Sequence, residues 1–263
     1  MNTRKMRAGG ARKLVATLSK GLCIGMLTAS VTLHMAAAAG DAVQQRLALA
    51  STASRSDIEA HAAAAQGPRR ANFGATFERE RASREARHIA DWVVDSGDNR
   101  GMPFVIVDKK DAIVFVFDAH GLLRGAAPAL LGLARGDESV PGIGGREMSS
   151  IRPEERTTPA GRFVASLGRN MRGEEILWVD YDAAISMHRV VTSNPDEHRA
   201  QRLATTTPLD NRISYGCINV PVAFYDKVLH PTFTGTNGVV YVLPETKTAR
   251  EVFASYDVEE RGG

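Results

Sequence analysis

Residues 101–246 contain a succession of short β-type runs, and this pattern constrains the fold more than any other feature of the sequence. The runs are rich in Val, Ile, Leu and Phe and are separated by glycine-containing turns: FVIVD (104–108), AIVFVFD (112–118), LLRGAAPALLG (122–132), GRFVASLG (161–168), EEILWVD (174–180), AAISMHRV (183–190) and GVVYVLP (238–244). Closely spaced strands with few long helical patterns predict a mainly β fold, either a sandwich or a barrel. Two polar stretches, 133–160 and 191–213, are too long for simple turns, and such loops on a β scaffold often carry a binding site.

The segment before the strands, residues 41–100, reads as a helical N-terminal segment and linker. A capping box at Ser56 and Glu59 begins a first helix that ends at Gly67-Pro68. Apolar residues at helical spacing predict a second helix over 75–94. Beyond the strands, residues 248–263 read as a polar C-terminal tail.

Residues 1–40 have the order of a secretory leader, with six basic residues and no acidic ones, then an apolar run and an alanine-rich site near 37–39. An uncleaved membrane anchor is the alternative interpretation, but the short, interrupted apolar run favours cleavage. The whole chain has a net charge of +3. Without the leader, 27 Lys+Arg remain against 30 Asp+Glu, a net charge of −3. The composition of the remaining chain therefore gives no support to nucleic-acid binding.

The chain has two cysteines, and Cys23 lies in the predicted leader, so Cys217 is the one that remains. An unpaired cysteine in an exported protein pairs with another molecule, packs as an inert thiol or reacts. Cys217 follows Gly216, and residues 220–229 predict a short helix with Pro221 in its first turn and Pro231 beyond its end. A position just before a helix N-terminus favours a lowered thiol pKa.

A thiolate nucleophile needs a base, and two histidines are candidates. His188 ends a predicted strand, where a rigid element can aim its ring, whereas His198 lies in a charged segment with an exposed character. We therefore predict His188 as the base and keep His198 as the alternative. The chain lacks His-Glu-x-x-His and Gly-Lys-Ser/Thr motifs, so no metal and no cofactor is predicted.

The segment SYGCINV (214–220) resembles the signature of L,D-transpeptidase catalytic domains (the YkuD type), usually Ser/Thr-His-Gly-Cys, an apolar residue, then Arg or Asn. TPAGRF (158–163) is similar to the Thr-Pro-x-Gly-x-Phe segment of that family. ISMH (185–188) falls where its upstream histidine ends a strand. The resemblance covers roughly residues 101–247 and implies a β-sandwich with a short helix after the cysteine.

Two positions depart from the family pattern. Tyr215 occupies the place of the histidine that usually precedes Gly-Cys, and we expect it to take a positioning role. The interval from His188 to Cys217 is about ten residues longer than usual, so residues 191–211 read as an insertion. The interval from His198 to Cys217 matches the usual one better, which keeps His198 as a competing base.

The resemblance implies a periplasmic enzyme that acts on peptidoglycan stem peptides through a thioester at Cys217, with His188 as base. The Gly216 and Cys217 N–H groups are the implied oxyanion donors. Ser214, Tyr215, Arg212 and Asn219 are the implied organisers of the loop. Three alternatives remain open: crosslinking of stems or anchoring of another protein to them, hydrolysis at the same site by an L,D-carboxypeptidase, and a non-catalytic wall-binding domain. No nucleic acid and no stable membrane insertion after leader cleavage are expected.

Overall fold

The computed structural model describes residues 75–77 and 79–258; the leader and the helix predicted after Ser56 lie outside them. Ten strands follow the first helix α1 (Arg84–Ser96); eight of them correspond to the seven predicted runs, and the short strands β8 and β9 were not predicted. They are β1 (Phe104–Asp108), β2 (Ile113–Phe117), β3 (Leu123–Pro128), β4 (Leu131–Gly132), β5 (Gly161–Arg169), β6 (Glu175–Asp180), β7 (Ile185–Arg189), β8 (Arg212–Ser214), β9 (Ile218–Val220) and β10 (Gly238–Val242). The mainly β fold class is therefore confirmed.

Eight strands form one mixed sheet in the order β3-β2-β1-β10-β5-β6-β7-β9, and β4 pairs with β8 in a small second sheet. The β1/β10 and β7/β9 pairs are parallel, and the other pairs of the large sheet are antiparallel. Beyond β3, Leu130 exchanges two backbone hydrogen bonds with Asn219 on the last strand. The sheet therefore curves until its two ends meet, as in a barrel or a folded sandwich.

The two faces of β1 and β10 are both buried, which explains their continuous apolar runs. Val105 and Val107 point into an inner core that the whole curved sheet surrounds, together with residues such as Leu177, Met187 and Ile218 from the opposite strands. The alternate residues of β1 and β10 point outward into a second core, which is rich in aromatic rings. Strand alternation on a sheet covered on both sides thus produces two cores from one set of strands.

Helix α1 covers the outer core, but it begins later than predicted. Ser83 caps it by accepting a hydrogen bond from the Ala86 N–H at 3.0 Å, and Gly97 ends it with a φ of +67°. Phe77, which fits the helical spacing, is buried in the outer core without being helical. The prediction of a helix from residue 75 was therefore wrong in its first turns, because the apolar spacing there reflects packing of an irregular segment.

The helical segment after β9 runs further than predicted. It consists of α3 (Val222–Phe224), a π turn (Tyr225–Leu229) and α4 (His230–Phe233). The short helix after Cys217 is confirmed, but the prediction that Pro231 lies beyond its end was wrong. The wide turn closes from the His230 N–H to the Tyr225 carbonyl, so Pro231 falls in the first turn of α4, where its missing N–H costs little.

The segment predicted as a polar tail begins with a helix, α5 (Ala249–Phe253), which Thr248 caps. Ala249 and Phe253 are buried in the outer core, so residues 249–253 are part of the packed fold. Within residues 75–77 and 79–258, no helix combines the length and apolar character that a membrane span requires.

Candidate active site

Cys217 lies in the tight connection between β8 and β9, and Gly216 is what allows this connection. Gly216 has a φ of +131°, and a Cβ there would lie 2.7 Å from Ile185 Cδ1 and 2.8 Å from the Thr157 carbonyl oxygen. A side chain would therefore be strained by both the backbone angle and the available space. The connection leaves the thiol of Cys217 half-buried at the sheet surface.

Strand alternation brings Ser186 and His188 to the same face as the thiol. Strands β7 and β9 run parallel, with His188 opposite Asn219, while Met187 and Ile218 face the inner core. The Oγ of Ser186 donates to the Cys217 Sγ at 3.6 Å, and the imidazole of His188 lies close enough to the same thiol to lower its pKa. The structure thus brings together the predicted nucleophile and the predicted base.

The orientation of the His188 ring is fixed by its second nitrogen. Nδ1 lies 2.7 Å from the Arg189 carbonyl oxygen. Because a carbonyl oxygen accepts only, Nδ1 carries a proton and donates, and Nε2 is left to exchange a proton with the thiol. This is the tautomer that a general base for Cys217 requires.

The pKa values of the two groups move toward each other. Burial alone would raise the pKa of Cys217, but the hydrogen bond and charge of His188, with the Ser186 hydroxyl, lower it below its ordinary value. Burial alone would lower the pKa of His188, but Cys217 and the Arg189 carbonyl raise it. Both shifts favour the thiolate and the imidazolium relative to the ordinary pKa values of the two groups.

Ser214 organises the turn that carries the cysteine. Its Oγ donates to the Cys217 carbonyl oxygen at 2.6 Å and accepts from the Gly216 N–H at 3.1 Å. The expectation that the Gly216 N–H is an oxyanion donor is therefore not met, because this N–H is already engaged. Of the two expected donors, the Cys217 N–H remains.

Thr158, from the TPAGRF segment, holds the same turn from the other side. Its buried Oγ1 donates to the Gly216 carbonyl oxygen at 2.8 Å and accepts from the Gly132 N–H at 2.9 Å. Its own carbonyl accepts from the buried ammonium of Lys109 at 3.0 Å. The long stretch 133–160 is thereby tied to the cysteine turn.

Arg212 is placed in a buried charge cluster rather than beside the thiol. Its guanidinium donates to the Lys109 carbonyl at 2.8 Å and pairs with the Glu245 carboxylate. Lys109 in turn pairs with Asp137 at 3.0 Å, and Asp137 accepts backbone N–H groups from residues 245–247. Arg212 therefore fixes β8 against the C-terminal segment.

Tyr215 stacks with Arg156, whose guanidinium carbon lies 3.9 Å from the centre of the ring. Arg156 also donates to the Ile151 carbonyl at 3.1 Å. This arrangement is a cation–π contact that joins the cysteine turn to the stretch 133–160.

The stretch 191–211 contributes a residue that the sequence analysis missed. Its helix α2 (Arg199–Ala204) begins with Arg199, whose Nη1 donates to the Asn219 Oδ1 at 2.8 Å. The fully buried Asn219 donates from Nδ2 to the Cys217 carbonyl at 3.3 Å. No sequence signal singles out Arg199 from the other charged residues of this stretch.

The alternative base, His198, is not brought to Cys217. It is the exposed residue that joins a 3-10 turn (Pro195–Glu197) to α2, with a φ of +50°. Within the described part of the chain, its side chain has no hydrogen bond or ion pair. A cleft of ≈ 800 Å³ opens beside His188 instead, lined by residues of β5, β6 and β7 and by Val190–Ser193.

Comparisons with known proteins give structural similarity only. No known family profile matches the chain, and no curated protein matches it. Among solved structures, the chain is similar to the helical cell shape determining protein Pgp2 from Campylobacter jejuni, with 17% identity and a TM-score of 0.35 over 56% of this chain and 49% of that chain. An L,D-transpeptidase from Xylanimonas cellulosilytica DSM 15894 aligns with 16% identity and a TM-score of 0.36 over 54% of this chain and 60% of that one.

An L,D-transpeptidase from Mycobacterium tuberculosis H37Rv aligns with 15% identity and a TM-score of 0.32 over 53% of this chain and 57% of that one. The chain thus spans about half to three fifths of the length of these three proteins. At such low identities and TM-scores, the alignments do not establish membership of a family.

Proposed function

We propose that this chain is a peptidoglycan L,D-transpeptidase that acts through a thioester at Cys217. The observation that carries the proposal is the pairing of Cys217 with His188, whose tautomer is fixed by the Arg189 carbonyl. The resemblance of SYGCINV and TPAGRF to the motifs of that family supplies the substrate class. The enzyme would act on the periplasmic side, and its leader remains a prediction from the sequence.

In the first half-reaction, the Cys217 thiolate attacks the carbonyl carbon that follows the L-centre of the third stem residue. A C–S bond forms, and in this proposal the Cys217 N–H stabilises the oxyanion. The His188 imidazolium then donates its Nε2 proton to the amine nitrogen, the C–N bond breaks and the terminal D-amino acid leaves. The products are a thioester and a neutral imidazole.

In the second half-reaction, the amine of a neighbouring stem attacks the thioester carbon. The amine gives a proton to the neutral imidazole of His188, a new amide bond forms, and the C–S bond breaks. The thiolate and the imidazolium are restored, so the cycle needs no oxidant, reductant or cofactor. Attack by water instead of the amine would make the same site a carboxypeptidase.

The test is incubation of the purified protein with disaccharide-tetrapeptide, followed by mass analysis of the products. We expect crosslinked dimers and release of D-alanine. Trimmed monomers without dimers would replace the transferase with a hydrolase. The absence of both products, together with no mass adduct on Cys217 after carbapenem treatment, would leave only the non-catalytic wall-binding alternative.

A further inference from the structure

Arg199 places a guanidinium against the residues that hold Cys217. Nη1 donates to Asn219, which itself binds the Cys217 carbonyl, and Nε donates to the Glu197 carboxylate at 2.5 Å. Among the residues that the structure describes, no hydrogen-bond acceptor is paired with Nη2. The guanidinium is largely buried, with 13% of the side chain exposed. Arg199 therefore retains donor capacity for a ligand at a site that is poorly accessible to bulk water.

Arg199 also places a positive charge near His188, which acts as the general acid in the first half-reaction of the proposed function. Asn219 lies directly opposite His188 in the β7/β9 register. The charge of Arg199 acts on the imidazole and opposes the rise of the His188 pKa. The positive charge of Arg199 disfavours the imidazolium form of His188, which pairs with the Cys217 thiolate. Binding an anion during the reaction is a role that would offset this effect.

The chemistry of the leaving group supplies such a role. This step rests on the proposed function, in which His188 protonates the amine nitrogen of the departing terminal residue. In an α-amino acid, the carbon bonded to that nitrogen also carries the carboxylate. A carboxylate so close to the protonated nitrogen would come near Arg199, which is bonded to the residue opposite His188, and a guanidinium is the side chain best suited to bind a carboxylate.

We infer that Arg199 binds the terminal carboxylate of the donor peptide and restricts the donors to peptides with a free C-terminus. The stretch 191–211 then has a substrate-binding role. The competing explanation is that Arg199 only ties α2 to β9. The two explanations differ in one measurable respect, because a purely structural role affects all donors equally.

The experiment compares two donors that differ only at the terminus: a disaccharide-tetrapeptide with a free C-terminal carboxylate and the same molecule as its C-terminal amide. The rate of acylation of Cys217 by each donor is followed by intact-mass spectrometry. The enzymes are the wild type, Arg199→Gln and the matched control Arg202→Gln. Arg202 lies in the same helix and binds the Glu197 and Asp210 carbonyl oxygens at 2.8 and 2.5 Å, so it anchors the same stretch.

We expect the wild type and Arg202→Gln to prefer the free acid by about 10- to 100-fold, as the loss of one charge-assisted hydrogen bond implies. Arg199→Gln should accept both donors at similar rates. Because each ratio is measured on one enzyme sample, a fraction of unfolded protein does not alter it. If Arg199→Gln reacts with neither donor, Arg199→Lys decides, with a reduced preference for the free acid supporting the inference and a preference equal to that of the wild type overturning it.

A wild type that reacts without preference, or an Arg199→Gln variant that keeps the preference, overturns the inference and leaves the proposed function intact. A wild type whose Cys217 is acylated by neither donor overturns the proposed function and the inference together.

Discussion

The two segments that meet at Cys217 are built very differently. The strand pair β7/β9 places His188 through a backbone ladder, with Met187 and Ile218 fully buried beneath it. The stretch 191–211 contacts β9 through the six-residue helix α2, in which Leu203 is the one buried side chain. Its link to the site is the hydrogen bond from Arg199 to Asn219. His188, the proposed base, lies on the rigid strand pair. Arg199, which we infer binds the substrate, lies on the stretch 191–211 at the surface.

The largest expected effect separates the two histidines of these segments. His188→Ala should lower the rate of Cys217 acylation by about 10²- to 10⁴-fold, because the thiol loses its base. His198→Ala, in the stretch 191–211, is the matched control and should change the rate little. Intact-mass kinetics with a carbapenem measure both. A large loss in His198→Ala with a small one in His188→Ala would assign the base to the stretch 191–211.

A stability comparison tests whether the two segments differ in rigidity. Met187→Ala should lower the free energy of unfolding by about 2–5 kcal/mol, because it leaves a cavity in the inner core. Leu203→Ala should cost less, because a six-residue helix can open locally without the core unfolding. Chemical denaturation followed by circular dichroism gives both values. Equal losses would mean that the stretch 191–211 unfolds as part of the core.

The pH dependence of the thiol tests the ion pair on the rigid segment. The Cys217 pKa is lowered and the His188 pKa is raised, and each shift increases the fraction of the thiolate–imidazolium form at neutral pH. Alkylation by iodoacetamide at pH 7 should therefore be faster than that of an ordinary cysteine thiol. In His188→Ala, burial without the imidazolium raises the thiol pKa, and the rate at pH 7 should fall by at least about tenfold. An unchanged pH profile in that variant would show that His188 does not set the thiol pKa.

The smallest expected effect concerns Tyr215, which lies in neither segment. Replacing Tyr215 by Leu should lower the free energy of unfolding by about 0.5–2 kcal/mol, because the contact with Arg156 is lost. A double-mutant cycle with Arg156→Met isolates this contact. A coupling energy of zero would mean that the tyrosine is placed by the turn alone. Acylation should change less in this variant than in His188→Ala.

Strand β7 was predictable, because its determinants are local in sequence, whereas the three-residue strand β9 was not predicted. Alternating apolar residues in AISMH specify a strand, and they also place Ser186 and His188 on one face. The start of α1 at residue 84 was missed because Phe77 and Ala82 satisfy the helical spacing while packing on the outer core as an irregular segment. The role of Arg199 was missed because its contact with Asn219 joins residues 20 positions apart across a stretch without periodicity.

The sequence by itself determined the longer strands, the glycine before Cys217 and the alternation that places Ser186 and His188 on one face, since each depends on side-chain alternation or on backbone freedom within a few residues. Only the tertiary structure decided which groups complete the site. The pairing of Leu130 with Asn219 closes the sheet, Thr158 holds the cysteine turn and is itself bound by Lys109 from the end of β1, and Arg199 comes from the stretch 191–211. These contacts join segments far apart in the chain, and only the folding of the sheet around one core brings them within hydrogen-bonding distance.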